Sequence, residues 1–164
     1  MSYFSVPCFL LLQLMANTVG HSFVGGKHMS IQKAAREFFE ACDTGKGWDA
    51  CKNYCHEGAT FSAQADALAD VTSLEGYADW MKNLLTPIPD GHYELKSFSV
   101  DEERGIASIF AVFHGTHSVD GPVPATGKTL AAEYVYAIEF DGDKIKHMTK
   151  IWNDAHSLKQ LGWA

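Results

Sequence analysis

The sequence predicts an α+β fold, in which helices come first and an antiparallel meander of strands follows. Three observations predict it. Before position 90 the apolar residues recur at helical spacing; after it, extended segments crowd together; and Asp141-Gly142-Asp143, a turn signal, joins the last two of those segments into a hairpin. Helices followed by a run of strands is the α+β pattern.

The chain has 164 residues, of which 46% are hydrophobic and 20% charged, enough for one globular domain with a sizeable core. Its net charge of −7 is the wrong sign for a surface that tracks phosphates, so nucleic acid is not an expected partner. The four cysteines, Cys8, Cys42, Cys51 and Cys55, contain no pair of CxxC spacings, which removes a zinc ribbon and leaves them as small apolar residues. No metal site is expected.

Residues 1–28 read as foreign to the domain. Phe4 to Met15 is apolar but too short to span a bilayer, so no membrane is expected as a partner. No Lys or Arg precedes it, and Thr18-Val19-Gly20 makes an imperfect cleavage site. Alternatively, the codons of Gly25-Gly26 can spell a ribosome-binding sequence ahead of a start at Met29. The expectation is a leader or an over-extended N-terminus over 1–28, and a single domain over 29–164. A cytoplasmic protein follows from the second option and an exported one from the first.

From Ser30 as N-cap, Ile31, Ala34, Ala35, Phe38, Phe39 and Cys42 form the stripe of an amphipathic helix that Gly45 and Gly47 stop. A short helix is expected from Trp48 to about His56, then a brief strand over 59–64 and a loop over 65–71. Thr72 and Glu75 have capping-box spacing, and Leu74, Tyr77, Ala78, Met81, Leu84, Leu85 and Ile88 continue as a helix up to Pro87 and Pro89. Strands are expected over 92–102, 106–118, 128–140 and 144–153. A last helical turn, Ala155 to Leu161, opens at Asp154 as N-cap and closes at Gly162.

Gly121 to Thr129 imitates a phosphate-binding P-loop but has one residue too many, two prolines without an N–H, and a strand where a helix should follow. His117, near a strand end, is a residue type that can act as general acid or base near neutral pH. Along the last strand Ile145, His147, Thr149, Ile151 and Asn153 share one face, because strand side chains alternate. That face is expected to look inward, which would bring Asn153 to a cavity as a neutral hydrogen-bonding group.

Several pieces recur in one order: the amphipathic first helix, Gly76 with Tyr77 and Trp80, Pro89-Asp90, Gly115-Thr116-His117, Thr126-Gly127-Lys128, Asp141 to Ile145, and Gln160-Leu161-Gly162. With them the chain resembles the SnoaL-like polyketide cyclases, a branch of the wider superfamily with the nuclear transport factor 2 (NTF2-like) fold, over nearly everything after Met29. The resemblance implies a cone-shaped barrel, a curved antiparallel sheet wrapped around N-terminal helices, with one apolar pocket and a homodimer. It also implies chemistry without a cofactor, in which an Asp near the end of the last strand exchanges a proton with an acidic C–H of the substrate. Counting back from Gln160-Leu161-Gly162 puts that Asp on Asn153, with Asp154 one place away. An amide cannot take the proton.

Two functional readings follow. In the first, the protein is a cyclase-, isomerase- or dehydratase-type enzyme acting on a small hydrophobic carbonyl compound. His117 is then the acid/base, Asn153 holds the carbonyl or enolate oxygen, and Asp154 orients or substitutes for them. Phe61, Gln64, Tyr77, Trp80, Phe113 and Tyr134 are the candidate pocket wall. In the second, the same scaffold binds a small ligand or a partner without catalysis.

Overall fold

The computed structural model describes residues 29–164, so the expectations for 1–28 lie outside the described residues. Ser30 caps the first helix, α1 (Ile31–Asp43), by accepting the Lys33 N–H at 3.3 Å, and the helix buries Ala34, Ala35, Phe38, Phe39 and Cys42. α2 (Trp48–Cys51) is a single turn that tightens into a 3-10 turn at Lys52–Tyr54. The first strand, β1 (Cys55–Ala63), therefore starts earlier than its alternation suggested. A further 3-10 turn, Asp66–Leu68, occupies the expected loop.

α3 (Leu74–Leu84) is capped by Ser73, whose Oγ accepts the Gly76 N–H at 3.1 Å. Thr72, expected as the cap, is still extended: its carbonyl accepts the Phe61 N–H of β1 at 2.9 Å. β2 (His92–Asp101), β3 (Ile106–Thr116), β4 (Thr129–Asp141) and β5 (Lys144–Trp152) make the expected meander, and α4 (Asp154–Leu161) ends on the left-handed Gly162 at φ 71°.

The sheet order is β1-β5-β4-β3-β2, and it is not closed. The four later strands are antiparallel as expected, but β1 joins β5 in parallel, so the sheet is mixed. The reason is the crossover: α3 and three strands intervene before the chain returns beside β1, and that long path brings β5 back in the same direction. The helices cover the concave face, and the architecture is the NTF2-like α+β cone. Among the described residues no helix is long and apolar enough to cross a membrane.

The expectation that Ile145, His147, Thr149, Ile151 and Asn153 share the inward face of β5 is overturned by a bulge. Ile138 pairs with Met148 and Phe140 with Ile145, so two steps along β4 face three along β5. Beyond Ile145 the pleat is therefore inverted. Met148 and Lys150 are buried and Trp152 is half-buried, while Ile151 is 58% exposed.

Core packing leaves no room at Gly115 of β3. A Cβ there would sit 2.3 Å from Cγ2 of the fully buried Ile88 and 3.3 Å from the Gly91 backbone. Gly115→Ala is expected to lower stability by about 1–3 kcal/mol, read as a shift in the urea unfolding midpoint at constant m-value.

Candidate active site

Four residues after Phe39, on the buried stripe of α1, stands Asp43, the last residue of the helix and wholly buried. A carboxylate at a helix C-terminus and away from water is costly unless hydrogen-bonded and paired. Tyr134 and Tyr136 supply this from β4; two residues apart, they share the inward face. The Tyr136 hydroxyl donates to Asp43 Oδ1 at 2.7 Å, and the Tyr134 hydroxyl donates to Oδ2.

The network continues to a buried amine. Lys150 lies opposite Tyr136 in the β4–β5 register, inward because of the bulge, and its Nζ donates to the Tyr77 hydroxyl at 2.9 Å. The Tyr77 and Tyr136 hydroxyls are hydrogen-bonded to each other. Since the Tyr136 proton is committed to Asp43, Tyr77 is the donor in that pair. The chain thus runs one way, Lys150 to Tyr77 to Tyr136 to Asp43, and each hydroxyl accepts once and donates once.

The Lys150 amine is ringed by Trp152, Tyr134, Tyr77, Trp80 and Tyr136, with ring centroids 4.7 to 5.7 Å away. Their faces offset part of the desolvation of an ammonium. Burial pushes Lys150 down to about 8, against the attraction of Asp43. Burial likewise pushes Asp43 up to about 6, against the Tyr134 hydroxyl, Lys150 and the Tyr136 hydroxyl. Burial, with Asp43 nearby, also holds the three tyrosines well above the ordinary phenol range, so they stay protonated.

Lys150 lines a partly open cavity of about 230 Å³. Trp80, Met81 and Leu84 of α3 form one wall, Phe113, Leu130, Ala132, Tyr134 and Tyr136 of the sheet another, and Leu158, Leu161 and Trp163 close the end. Apart from Lys150, the tyrosine hydroxyls and Ser157, the lining is apolar, and the Ser157 hydroxyl is spent on the Asn153 carbonyl at 3.0 Å. Among the described residues, no group of three His, Cys, Asp or Glu side chains could hold a metal ion.

The structure separates the residues singled out from sequence. Trp80, Phe113 and Tyr134 line the cavity. Tyr77 lies behind the wall and reaches the cavity through Lys150, and Phe61 stacks on Tyr77 with centroids 4.3 Å apart. Gln64 is exposed and away from the wall.

His117 is fully buried just behind Trp163. Its Nδ1 accepts the Trp163 indole N–H at 2.9 Å and the Thr126 N–H at 3.2 Å, while the Thr126 hydroxyl donates to the Leu161 carbonyl at 2.8 Å. The ring proton therefore belongs on Nε2, which has no partner among the described residues. His117 latches the chain end over the cavity and does not line it.

The expectation that Asn153 reaches the cavity is corrected: its Oδ1 accepts the His156 N–H at 3.0 Å as the N-cap of α4, and the side chain faces a separate open groove. Asp154 is not the cap either. Its Oδ2 accepts the Ala67 N–H at 2.8 Å and fastens the 3-10 turn at the cavity rim.

Asp43 and Lys150 were not among the residues chosen from sequence. A signal for Asp43 was present in its i+4 spacing from Phe39. The signal for Lys150 was its place between Met148 and Trp152, two large apolar residues on the same face.

The site is an α+β cone whose apolar cavity has a buried amine in its wall and a carboxylate two hydroxyls behind it. The SnoaL-like polyketide cyclase family model matches residues 33–161, and the chain belongs to that family. Among solved structures it is similar to IdmH of Streptomyces antibioticus, a candidate polyketide cyclase, at 17% identity and TM-score 0.67 over 82% of this chain and 99% of that one. AclR of Streptomyces galilaeus, a candidate hydroxylase, gives 18% identity and TM-score 0.64 over 82% of each chain. The BvnE pinacolase of Penicillium brevicompactum gives 13% and 0.61 over 79% of this chain and 86% of that one. No curated protein matches the sequence.

Two predictions follow from these placements. Lys150→Met removes the positive charge that holds Asp43 down, so the Asp43 carboxyl is expected to titrate above its present value of about 6, as followed by its side-chain carbonyl carbon resonance. Asn153→Ala removes only a helix cap. It is expected to cost about 1 kcal/mol in chemical unfolding and to leave ligand-induced quenching of Trp80 and Trp152 unchanged.

Proposed function

We propose that this protein binds a small apolar carbonyl compound and moves a proton at the carbon beside the carbonyl, without a cofactor, in chemistry of the cyclase, isomerase or dehydratase kind. The observation that carries this reading is the relay from Lys150 through Tyr77 and Tyr136 to Asp43, opening on a cavity otherwise lined by apolar groups. A cavity of about 230 Å³ falls below the roughly 300–1,000 Å³ of drug-sized ligand sites, which favours a compact substrate.

The relay supplies both halves of acid/base chemistry. Shifting one proton along each link turns the ammonium and carboxylate into an amine and a carboxylic acid, with no exchange with solvent. The amine takes the proton from the substrate carbon, and the ammonium that results stands beside the enolate oxygen and stabilises it. Two groups whose environments bring their pKa values to about 6 and about 8 are matched to this task near neutral pH.

In this proposal His117 and Asp154 act as positioning residues, His117 through Trp163 and Asp154 through Ala67, while Asn153 only caps α4. The homodimer belongs to the proposal through the family alone.

The test is exchange of α-hydrogens for deuterium in small aromatic and alicyclic ketones, followed by proton NMR. The wild-type protein is expected to accelerate exchange, while Lys150→Met and Asp43→Asn each slow it by about 10²-fold or more. Tight binding with no exchange at any pH between 6 and 9 would replace the enzyme reading with that of a ligand-binding protein.

A further inference from the structure

We propose that Lys150 is a covalent site, forming an imine with unhindered aldehydes and methyl ketones that enter the cavity. The inference rests on the reading of the cavity as a carbonyl site and deepens it, because the freed amine adds to the carbonyl carbon itself.

Three features of the geometry support it. First, an ammonium has three N–H donors, yet among the described residues Lys150 has one hydrogen-bond acceptor, the Tyr77 hydroxyl; the other described side chains around it are aromatic faces and the cavity wall. A site built for a permanent ammonium would offer more acceptors. Second, the residue is buried and forms no salt bridge among the described residues: the charged group linked to it is Asp43, reached through two hydroxyls. Third, the relay meets both proton requirements of imine formation from a single end. Burial also brings Lys150 down to about 8, so that free amine is accessible near neutral pH.

The step balances as follows. The Lys150 ammonium gives a proton to Tyr77, Tyr77 passes its own to Tyr136, and Tyr136 passes its own to Asp43, leaving a neutral amine and a carboxylic acid. The nitrogen lone pair forms the N–C bond as the carbonyl π pair moves to oxygen, and a proton moves from nitrogen to that oxygen, giving the carbinolamine. The tyrosine hydroxyls now point back toward Lys150, so the Asp43 proton returns along them to the carbinolamine oxygen. The C–O bond breaks, water leaves, and the nitrogen lone pair closes the C=N bond. The product is a protonated imine facing an Asp43 carboxylate, the same charges as at the start, with no oxidant or reductant used.

Sodium borohydride tests this by reducing the imine to a stable secondary amine. Intact protein treated with benzaldehyde or 2-heptanone and borohydride is expected to gain the mass of the carbonyl compound less one oxygen. Peptide mapping is expected to place the addition on Lys150 and leave the neighbouring Lys144 and Lys146 unmodified. Capture should rise with pH through about 8. Tyr77→Phe keeps the amine and breaks the relay, so it is expected to slow capture by about 10²-fold while its circular dichroism and its quenching of Trp80 and Trp152 by the same compounds stay as in wild type. Modification spread evenly over surface lysines overturns the proposal. So does α-hydrogen exchange without any Lys150 adduct, which leaves the carbonyl reading standing. Absence of both quenching and exchange overturns the carbonyl reading itself.

Discussion

One extra residue in β5 decides which side chains the rest of the molecule has to accommodate. The bulge between Ile145 and Met148 inverts the pleat, so that Met148, Lys150 and Trp152 meet Ile138, Tyr136 and Tyr134 of β4 on the concave side. Without it, strict alternation from Ile145 would send Lys150 to the outer face, where a lysine costs nothing to solvate, and would bring the exposed Ile151 inside. The fold instead carries a buried amine. Everything around it answers to that: five aromatic rings for its charge, a hydroxyl for one of its donors, and a carboxylate two hydroxyls away. Burying either charge alone would be severely unfavourable; together, linked by hydrogen bonds, they form a neutral polar string through the core.

The sequence was most legible where a local rule acts by itself. Ser30 caps α1, the Asp141 to Lys144 turn makes the hairpin, and Gly162 closes α4, because each depends on residues next to it in the chain. It was least legible where two distant strands negotiate. The period-two reading of β5 is correct on either side of the bulge and wrong across it, since nothing in the residues between Ile145 and Met148 announces the slip. The parallel pairing of β1 with β5 is likewise a product of the crossover and not of either strand's composition. The site suffered most: Asn153 was placed by counting alternation through the bulge, and Lys150 was placed outside by the same count.

The family resemblance carries the fold but not the chemistry of the site. The position where it implies an Asp holds Asn153, and this residue spends its side chain on the first turn of α4. A buried carboxylate still lies near the cavity, but it stands at the end of α1 instead of β5, behind two tyrosines. His117 and Asp154, the other groups able to exchange protons nearby, are both used to hold the cavity's edges: one fixes Trp163 through its indole N–H, the other fixes Ala67 through its amide. The polar groups at the rim are therefore structural, and the one that looks inward is Lys150.

Under the proposed function, that inward amine decides which occupant the cavity would favour. Among the described residues the three N–H donors of Lys150 have one acceptor, the Tyr77 hydroxyl. A hydrocarbon would fill the same volume and leave those donors as they are. A carbonyl oxygen would supply a further acceptor and gain a charge-assisted hydrogen bond. The discrimination comes from the protein's own unsatisfied group: a buried polar donor rejects ligands that cannot pair with it more strongly than an apolar wall rejects those of the wrong size. In that reading the cavity's volume sets how large the occupant is, and the amine sets which of its atoms points toward the wall formed by Tyr134, Tyr136 and Lys150.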